Sequence, residues 1–211
     1  MEILIRNLSK KFKDNLVLDN VNLKFESGNI YGFVGENGSG KSVLLKLICS
    51  FYIPSNGEIL IDNINYCDNS SFPNNLRAFI DEPSFYPEKT GLENLKELAK
   101  IQNKINEEKI IEALKIVNLY EEKDKKFYEY SMGMKQKLGI ASVIMENPDI
   151  MIFDEPFNGV DEKSREKIID YLKRIKNKKI IIVSSHVKED INKLCDKIYC
   201  FEKGTIKLNE N

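Results

Sequence analysis

Histidine is nearly absent: His186 is the only one in 211 residues. Cysteine is sparse as well, and Cys49, Cys67, Cys195 and Cys200 make neither a C-x-x-C pair nor a His-Cys cluster. A zinc centre is thereby excluded, and the thiols read as reduced, structural residues of a cytosolic protein. An excess of charge is missing too. Lys and Arg total 32 against 33 for Asp and Glu, a formal net charge of −1. That balance offers a polyanion no long-range attraction, so no nucleic-acid partner is expected. Long apolar runs are lacking: a membrane-spanning helix needs about 20 mostly apolar residues, whereas runs such as Ile150 to Phe153 and Ile180 to Val183 suit buried strands. A membrane role is therefore expected only through a partner. The start, Met1-Glu2-Ile3-Leu4-Ile5-Arg6, turns polar too early for a signal peptide. The sequon Asn69-Ser70-Ser71 is a chance match in a cytosolic chain. After Leu208 no added regulatory domain is expected.

What is present is an α/β pattern of a length that suits one large domain rather than two small ones. Strands are expected at Ile3–Ile5, Val21–Phe25 and Ile30–Val34, the last running into a glycine-rich loop, and a helix from Lys41 fades near Pro54-Ser55-Asn56-Gly57. Glu58–Asp62 reads as a further short strand. From Thr90 to about Val117 the apolar residues follow a helical period, and another helix begins near Ser131 and stops at Asn147-Pro148. Residues of about 83–147 therefore form an inserted helical subdomain, with the charged run Glu121–Lys126 as a solvated turn inside it. Beyond it come a strand at Ile150–Phe153, a helix over 162–176, a strand at Ile180–Ser184, a helix over 188–195, and strands at Lys197–Phe201 and Thr205–Leu208. Apolar strands alternating with helices imply a mostly parallel sheet covered on both faces. No internal repeat is visible.

Gly35-Glu36-Asn37-Gly38-Ser39-Gly40-Lys41-Ser42 fits the phosphate-loop pattern, between an expected strand and an expected helix. Glycines at these places let backbone N–H groups turn inward around phosphates, and the helix dipole reinforces them. Lys41 would hold the β- and γ-phosphates and Ser42 would ligate Mg²⁺. Ile150–Phe153 delivers Asp154 and Glu155 to a strand's C-terminal end, where open α/β sheets bind ligands. Successive strand side chains point oppositely, so the two acids can serve differently: Asp154 on the metal's water shell, Glu155 on the attacking water. His186, at the end of Ile180–Ser185, suggests a γ-phosphate contact, and the set as a whole predicts ATP hydrolysis.

With these motifs in this order, the chain resembles an ABC-transporter ATPase subunit along essentially its whole length. That resemblance implies a P-loop NTPase with an N-terminal antiparallel β subdomain and an inserted α-helical subdomain, binding ATP and Mg²⁺. Tyr130-Ser131-Met132-Gly133-Met134-Lys135-Gln136 stands where the family carries its signature, usually Leu-Ser-Gly-Gly-Gln. Ser131, Gly133 and Met134 would there meet the γ-phosphate bound to the opposite copy; an ordinary helix cap is the plainer reading of the serine. The resemblance makes His186 the family's switch histidine and Asp161, in Asn158-Gly159-Val160-Asp161, the last member of the loop at the dimer interface, as well as a possible helix cap. Phe12 matches the aromatic that stacks on adenine, with a core phenylalanine as the competing view. Val43 joins Gly35, Asn37, Gly38, Ser39, Gly40, Lys41 and Ser42 in the expected ATP contact set.

In Phe79-Ile80-Asp81-Glu82-Pro83-Ser84-Phe85-Tyr86-Pro87, Asp81 takes the place of the family's glutamine. An acid here, with the Tyr-Ser-Met-Gly-Met-Lys-Gln signature, is similar to ATPases of bacitracin- and lantibiotic-type peptide efflux and immunity systems, in which Glu is the commoner acid. Asp81 is expected to reach Mg²⁺ through water, with Glu82 as the alternative if the register slips by one. Phe85, Tyr86 and Glu88–Leu92 lie where the family accepts a helix of its membrane partner, or else serve as packing. The resemblance thus implies paired ATPase subunits joined by ATP, a transmembrane permease subunit, and a cytoplasmic location peripheral to the membrane, with export of a peptide or antibiotic. The rival readings are a non-transport ABC switch acting on ribosome or DNA, and a P-loop small-molecule kinase. The kinase needs an Arg-rich lid, yet Arg6, Arg77, Arg165 and Arg174 fall near no motif.

Overall fold

A computed structural model describes residues 1–67, 72–81, 84–202 and 204–209. The Asn69 sequon, Pro83 and the alternative Glu82 lie outside them. In chain order the elements are β1 (Glu2–Phe12), β2 (Asn15–Glu26), β3 (Asn29–Gly35), α1 (Lys41–Ile48), β4 (Asn56–Ile61), β5 (Ile64–Asn65), β6 (Leu76–Phe79), α2 (Gly91–Gln102) and α3 (Glu107–Ile116). They continue with α4 (Met132–Ile144), β7 (Ile150–Asp154), α5 (Glu162–Ile175), β8 (Ile180–Ser185), α6 (Lys188–Leu194), β9 (Lys197–Glu202) and β10 (Thr205–Leu208).

The strands form two sheets. An antiparallel sheet has the order β2-β1-β4-β5, and a second has the order β10-β9-β3-β8-β7-β6, parallel except for β10. β1 and β2 are much longer than the alternation of their residues predicts. Register shifts between Ile5 and Leu8, Leu8 and Lys10, and Lys10 and Lys11 break the period-two pattern without ending the ladder. β6 escapes pattern reading for another reason: it is a four-residue strand interrupted by Arg77, whose guanidinium pairs with Glu146 beyond α4.

The continuous apolar runs of β7 and β8 follow from burial on both faces. Ile150, Ile152, Ile180 and Ile182 face a core shared with Leu44, Leu45 and Ile48 of α1 and Ile3, Ile5 and Phe25 of the antiparallel sheet. Their neighbours Met151, Phe153, Ile181 and Val183 face a second core with Leu95, Leu114, Leu138, Ile168 and Ile191 of the remaining helices. Five parallel strands thus carry their C-terminal ends to one edge. The charged run Glu121–Lys126 is a turn, as expected, but a tied one. Its carbonyls at Lys123 and Lys125 accept from Leu92 at 2.9 Å and Gly91 at 3.2 Å, so it receives the first turn of α2.

Candidate functional site

β3 is buried on both faces and ends at Gly35, which opens the phosphate loop. Gly38 and Gly40 have φ of +79° and +104°, values that L side chains adopt only with strain. At Gly40 space is short as well, since a Cβ would stand 3.0 Å from Leu18 Cδ2, on the β2 strand that lies against the loop. Lys41 begins α1 and is buried; its Nζ donates to the carbonyls of Gly35 at 2.7 Å and Glu36 at 3.1 Å. The ammonium is thus held at the mouth of the loop by acceptors that an anion can replace. Ser39 Oγ is buried with no hydrogen-bond partner among the described residues. A cavity of about 630 Å³ opens along the loop from Gly35 to Ser39 and is lined on its other side by Lys188, Phe201 and Glu202. An unpartnered hydroxyl, left-handed glycines and a helix N-terminus together suit a polyphosphate.

On the neighbouring strands Asp154 is the last residue of β7 and is buried, and it accepts a hydrogen bond from Ser184 Oγ on β8. Glu155 corrects the strand-alternation argument. It lies past the strand at φ +48°, so a left-handed turn, not the pleat, separates the two carboxylates. Its N–H is fixed by Ser184, through Oγ at 3.0 Å and the carbonyl at 3.2 Å. Its Oε2 lies 2.8 Å from His186 Nδ1, while its Oε1 is buried and without a partner among the described residues. Sequence reasoning passed over Ser184. The signal was a small polar residue ending an otherwise aliphatic strand beside an Asp-Glu pair.

The signature segment is built around α4. Ser131 caps that helix, its Oγ accepting from Met134 N–H at 3.3 Å, while Met134 packs on the second core and Met132 is exposed. Gly133 has a steric role within the chain itself: a Cβ there would lie 2.1 Å from the Gly159 carbonyl oxygen. The signature helix therefore presses directly on the 158–161 loop. Asp161 closes that loop and caps α5, accepting from Ser164 N–H at 3.0 Å and pairing with Lys137 at 3.2 Å. Burial alone would push the Asp161 carboxyl up, but the hydrogen bonds from Ser164 and the Lys137 ammonium bring it down to about 2. Arg165 corrects the statement that no arginine lies near a motif. It donates to the Val160 carbonyl at 3.3 Å and pairs with buried Asp190 at 3.0 Å, fastening the loop to α6.

Phe12 ends β1, about 38% exposed, and meets Tyr52 edge-on with ring centres 5.3 Å apart. Val43 packs against the first core at the start of α1. Asp81 lies at φ +64° and is paired with Lys46 of α1 at 2.7 Å. The two aromatics that follow part ways: Phe85 packs on Phe127 with ring centres 5.2 Å apart, while Tyr86 is about 62% exposed.

A phosphate loop at the C-terminal edge of a parallel sheet, with two successive carboxylates at the end of a strand two places away, defines a P-loop nucleotide hydrolase. The family model described as ABC transporter matches residues 18–158, more than half of the chain. The chain belongs to the ABC transporter family, as an ATP-binding subunit that hydrolyses ATP. It is 36% identical over 209 residues to the bacitracin transport ATP-binding protein BcrA of Enterococcus faecalis, covering 97% of this chain and 68% of that one. An uncharacterized ABC transporter ATP-binding protein of Bacillus subtilis (strain 168), YybJ, is 38% identical, with 99% of this chain and 96% of that one covered. Among solved structures, the bacterial ABC transporter cassette MJ0796 in a dimeric form aligns with a TM-score of 0.85 at 26% identity, covering 99% of both chains. Its dimeric post-hydrolysis state bound to ADP and Pi aligns with a TM-score of 0.87 at 24% identity, again over 99% of both chains, a likeness of fold. Among the described residues no helix is long and apolar enough to cross a membrane.

Proposed function

We propose that this chain drives export of a peptide antibiotic through a separate permease, working as a pair of copies joined by ATP at the cytoplasmic face of the membrane. The observation that carries the ATP-driven part of the reading is the convergence of Glu155 on His186 beside the phosphate loop. In each copy Gly35, Asn37, Gly38, Ser39, Gly40, Lys41, Ser42 and Val43 bind the triphosphate, and Phe12 stacks on adenine. Ser131, Gly133 and Met134 of the second copy close over the γ-phosphate, and Asp161 holds the loop between them. The similar cassette MJ0796 is itself dimeric, which supports a pairing of copies. The chain is one ATPase domain whose helical part spans about 83–147.

Glu155 aligns a water for attack on the γ-phosphorus and takes up its proton, while His186 Nδ1 keeps the carboxylate oriented and leaves Nε2 for a γ-phosphate oxygen. Ser42, Asp154 and Asp81 would hold Mg²⁺, which neutralises charge on the phosphates. One hydroxyl with separated carboxylates suits an ion that also keeps waters and takes phosphate oxygens. The cargo assignment rests on the names of relatives, bacitracin transport for BcrA and lantibiotic transport for SrtF of Streptococcus pyogenes, which is 28% identical. Exposed Tyr86 offers the permease an aromatic contact beside the helical part.

The test is affinity purification from membranes of cells that also express the candidate permease, together with bacitracin and lantibiotic susceptibility. Co-purification with a membrane protein, and resistance lost in a Glu155→Gln strain, are expected. Recovery with ribosomes or DNA would overturn the transport reading.

A further inference from the structure

Lys46 belongs to no motif, yet among the described residues it ties α1 to the segment after β6 through a side-chain ion pair. Its Nζ reaches both oxygens of the Asp81 carboxylate, at 2.7 Å and 3.0 Å. The lysine is largely buried, with its side chain 21% exposed, whereas that of Asp81 is 64% exposed. Tyr52 covers the lysine from the other side, its ring centre 5.8 Å from Nζ. Ile80 packs into the first core, so the backbone is anchored on the β6 side and turns sharply at Asp81 itself. That turn has φ +64°, a left-handed conformation that Asp visits more readily than most residues with a Cβ. The charge on Lys46 is favoured first by its hydrogen bond to Asp81 and opposed by partial burial. A resident cation thus occupies part of the electrostatic role that a divalent ion would play there.

We propose that Lys46 is a positioning residue that competes with magnesium for Asp81: the ammonium holds the carboxylate while the site lacks metal, and metal recruitment requires Asp81 to leave it. The inference rests on the reading of Asp81 as part of the metal site. With the Asp81 carboxylate open to solvent the pair is weak, so exchange is easy and the effect is a tuning one.

The test titrates Mn²⁺, a paramagnetic probe, into protein saturated with a non-hydrolysable ATP analogue and reads bound metal by electron paramagnetic resonance. Lys46→Met should tighten Mn²⁺ binding by about two- to five-fold, a range set by the strength of exposed ion pairs. Lys46→Arg should restore the original affinity. In an Asp81→Asn background Lys46→Met should have no effect on it. In nucleotide-free protein Lys46→Met should also speed amide hydrogen exchange in the peptide carrying Ile80 and Asp81. Unchanged or weaker Mn²⁺ binding in Lys46→Met, or tightening that persists with Asp81→Asn, overturns the proposal. If Asp81→Asn alone leaves Mn²⁺ affinity untouched, it is the metal-site reading of Asp81 that fails, and the proposal falls with it; unaltered exchange in the nucleotide-free protein contradicts the tether itself.

Discussion

His186 Nδ1 lies 2.8 Å from Glu155 Oε2, and the His186 backbone N–H donates to the same oxygen at 3.2 Å. Glu155 is thereby held by one oxygen, and the other, Oε1, is buried and unpartnered among the described residues. A carboxylate fixed at one oxygen and open at the other is arranged to receive a proton from water. Glu155→Gln should therefore lower ATP turnover by about 10²–10⁴-fold with nucleotide affinity retained. His186→Ala should cost a comparable factor, and the double variant little more, because the residues act as a unit. Steady-state phosphate release across the four forms checks this. Independent, multiplying losses would show that the contact does not serve catalysis.

The two glycine positions separate two kinds of strain. Gly38 has φ +79° but a Cβ there meets no atom of the described residues within 4 Å, so Gly38→Ala should cost about 1–2 kcal/mol from backbone conformation alone. Gly133 is unstrained at φ, yet its Cβ would overlap the Gly159 carbonyl at 2.1 Å, so helix α4 or the 158–161 loop must shift. Gly133→Ala should destabilise by about 1–3 kcal/mol. Unlike Gly38→Ala, it should also speed amide exchange in the 158–161 loop. Urea denaturation and hydrogen exchange measure both, and an unperturbed loop in Gly133→Ala would refute the close approach.

Asp161 ties the same loop to pH. Its carboxyl is held down to about 2, against an ordinary value near 3.8. A group with a lowered folded-state value contributes stability that is fully present above the unfolded value and lost as pH falls through the folded one. The Asp161 contribution should therefore vanish between roughly pH 4 and pH 2. The side chain is 54% exposed, so solvent screening limits the contribution to about 1 kcal/mol or less. Urea midpoints followed across that window should fall less steeply in Asp161→Asn than in the parent chain, with Lys137→Met intermediate. Identical slopes would show that the pair carries no linkage.

Much of this architecture is legible from residue order because the α/β core writes its burial into unbroken aliphatic runs. Ile150–Phe153 and Ile180–Val183 are apolar since both faces are covered, and the phosphate loop is recognisable since glycine adopts its dihedral angles without strain. Bulges hid most of β1 and β2, and a charged side chain with a distant partner hid β6. In the site, the identities of Asp154, Glu155 and His186 could be read, but not their contacts. The left-handed turn at Glu155, the Ser184 clasp and the Lys46–Asp81 pair depend on φ angles and on strands 30 or more residues apart in sequence, which spacing does not encode. Arg165 escapes sequence reading for the same reason. It lies outside the motifs in the chain but against Val160 in space.

In the proposed cycle ATP joins two copies of this chain, each completing the other's site. Analytical ultracentrifugation of the Glu155→Gln form, run with and without saturating ATP and magnesium, decides this. The account predicts a single-chain species without nucleotide and one of twice that mass with it, abolished by Lys41→Ala. A species of single-chain mass at full nucleotide occupancy would contradict it.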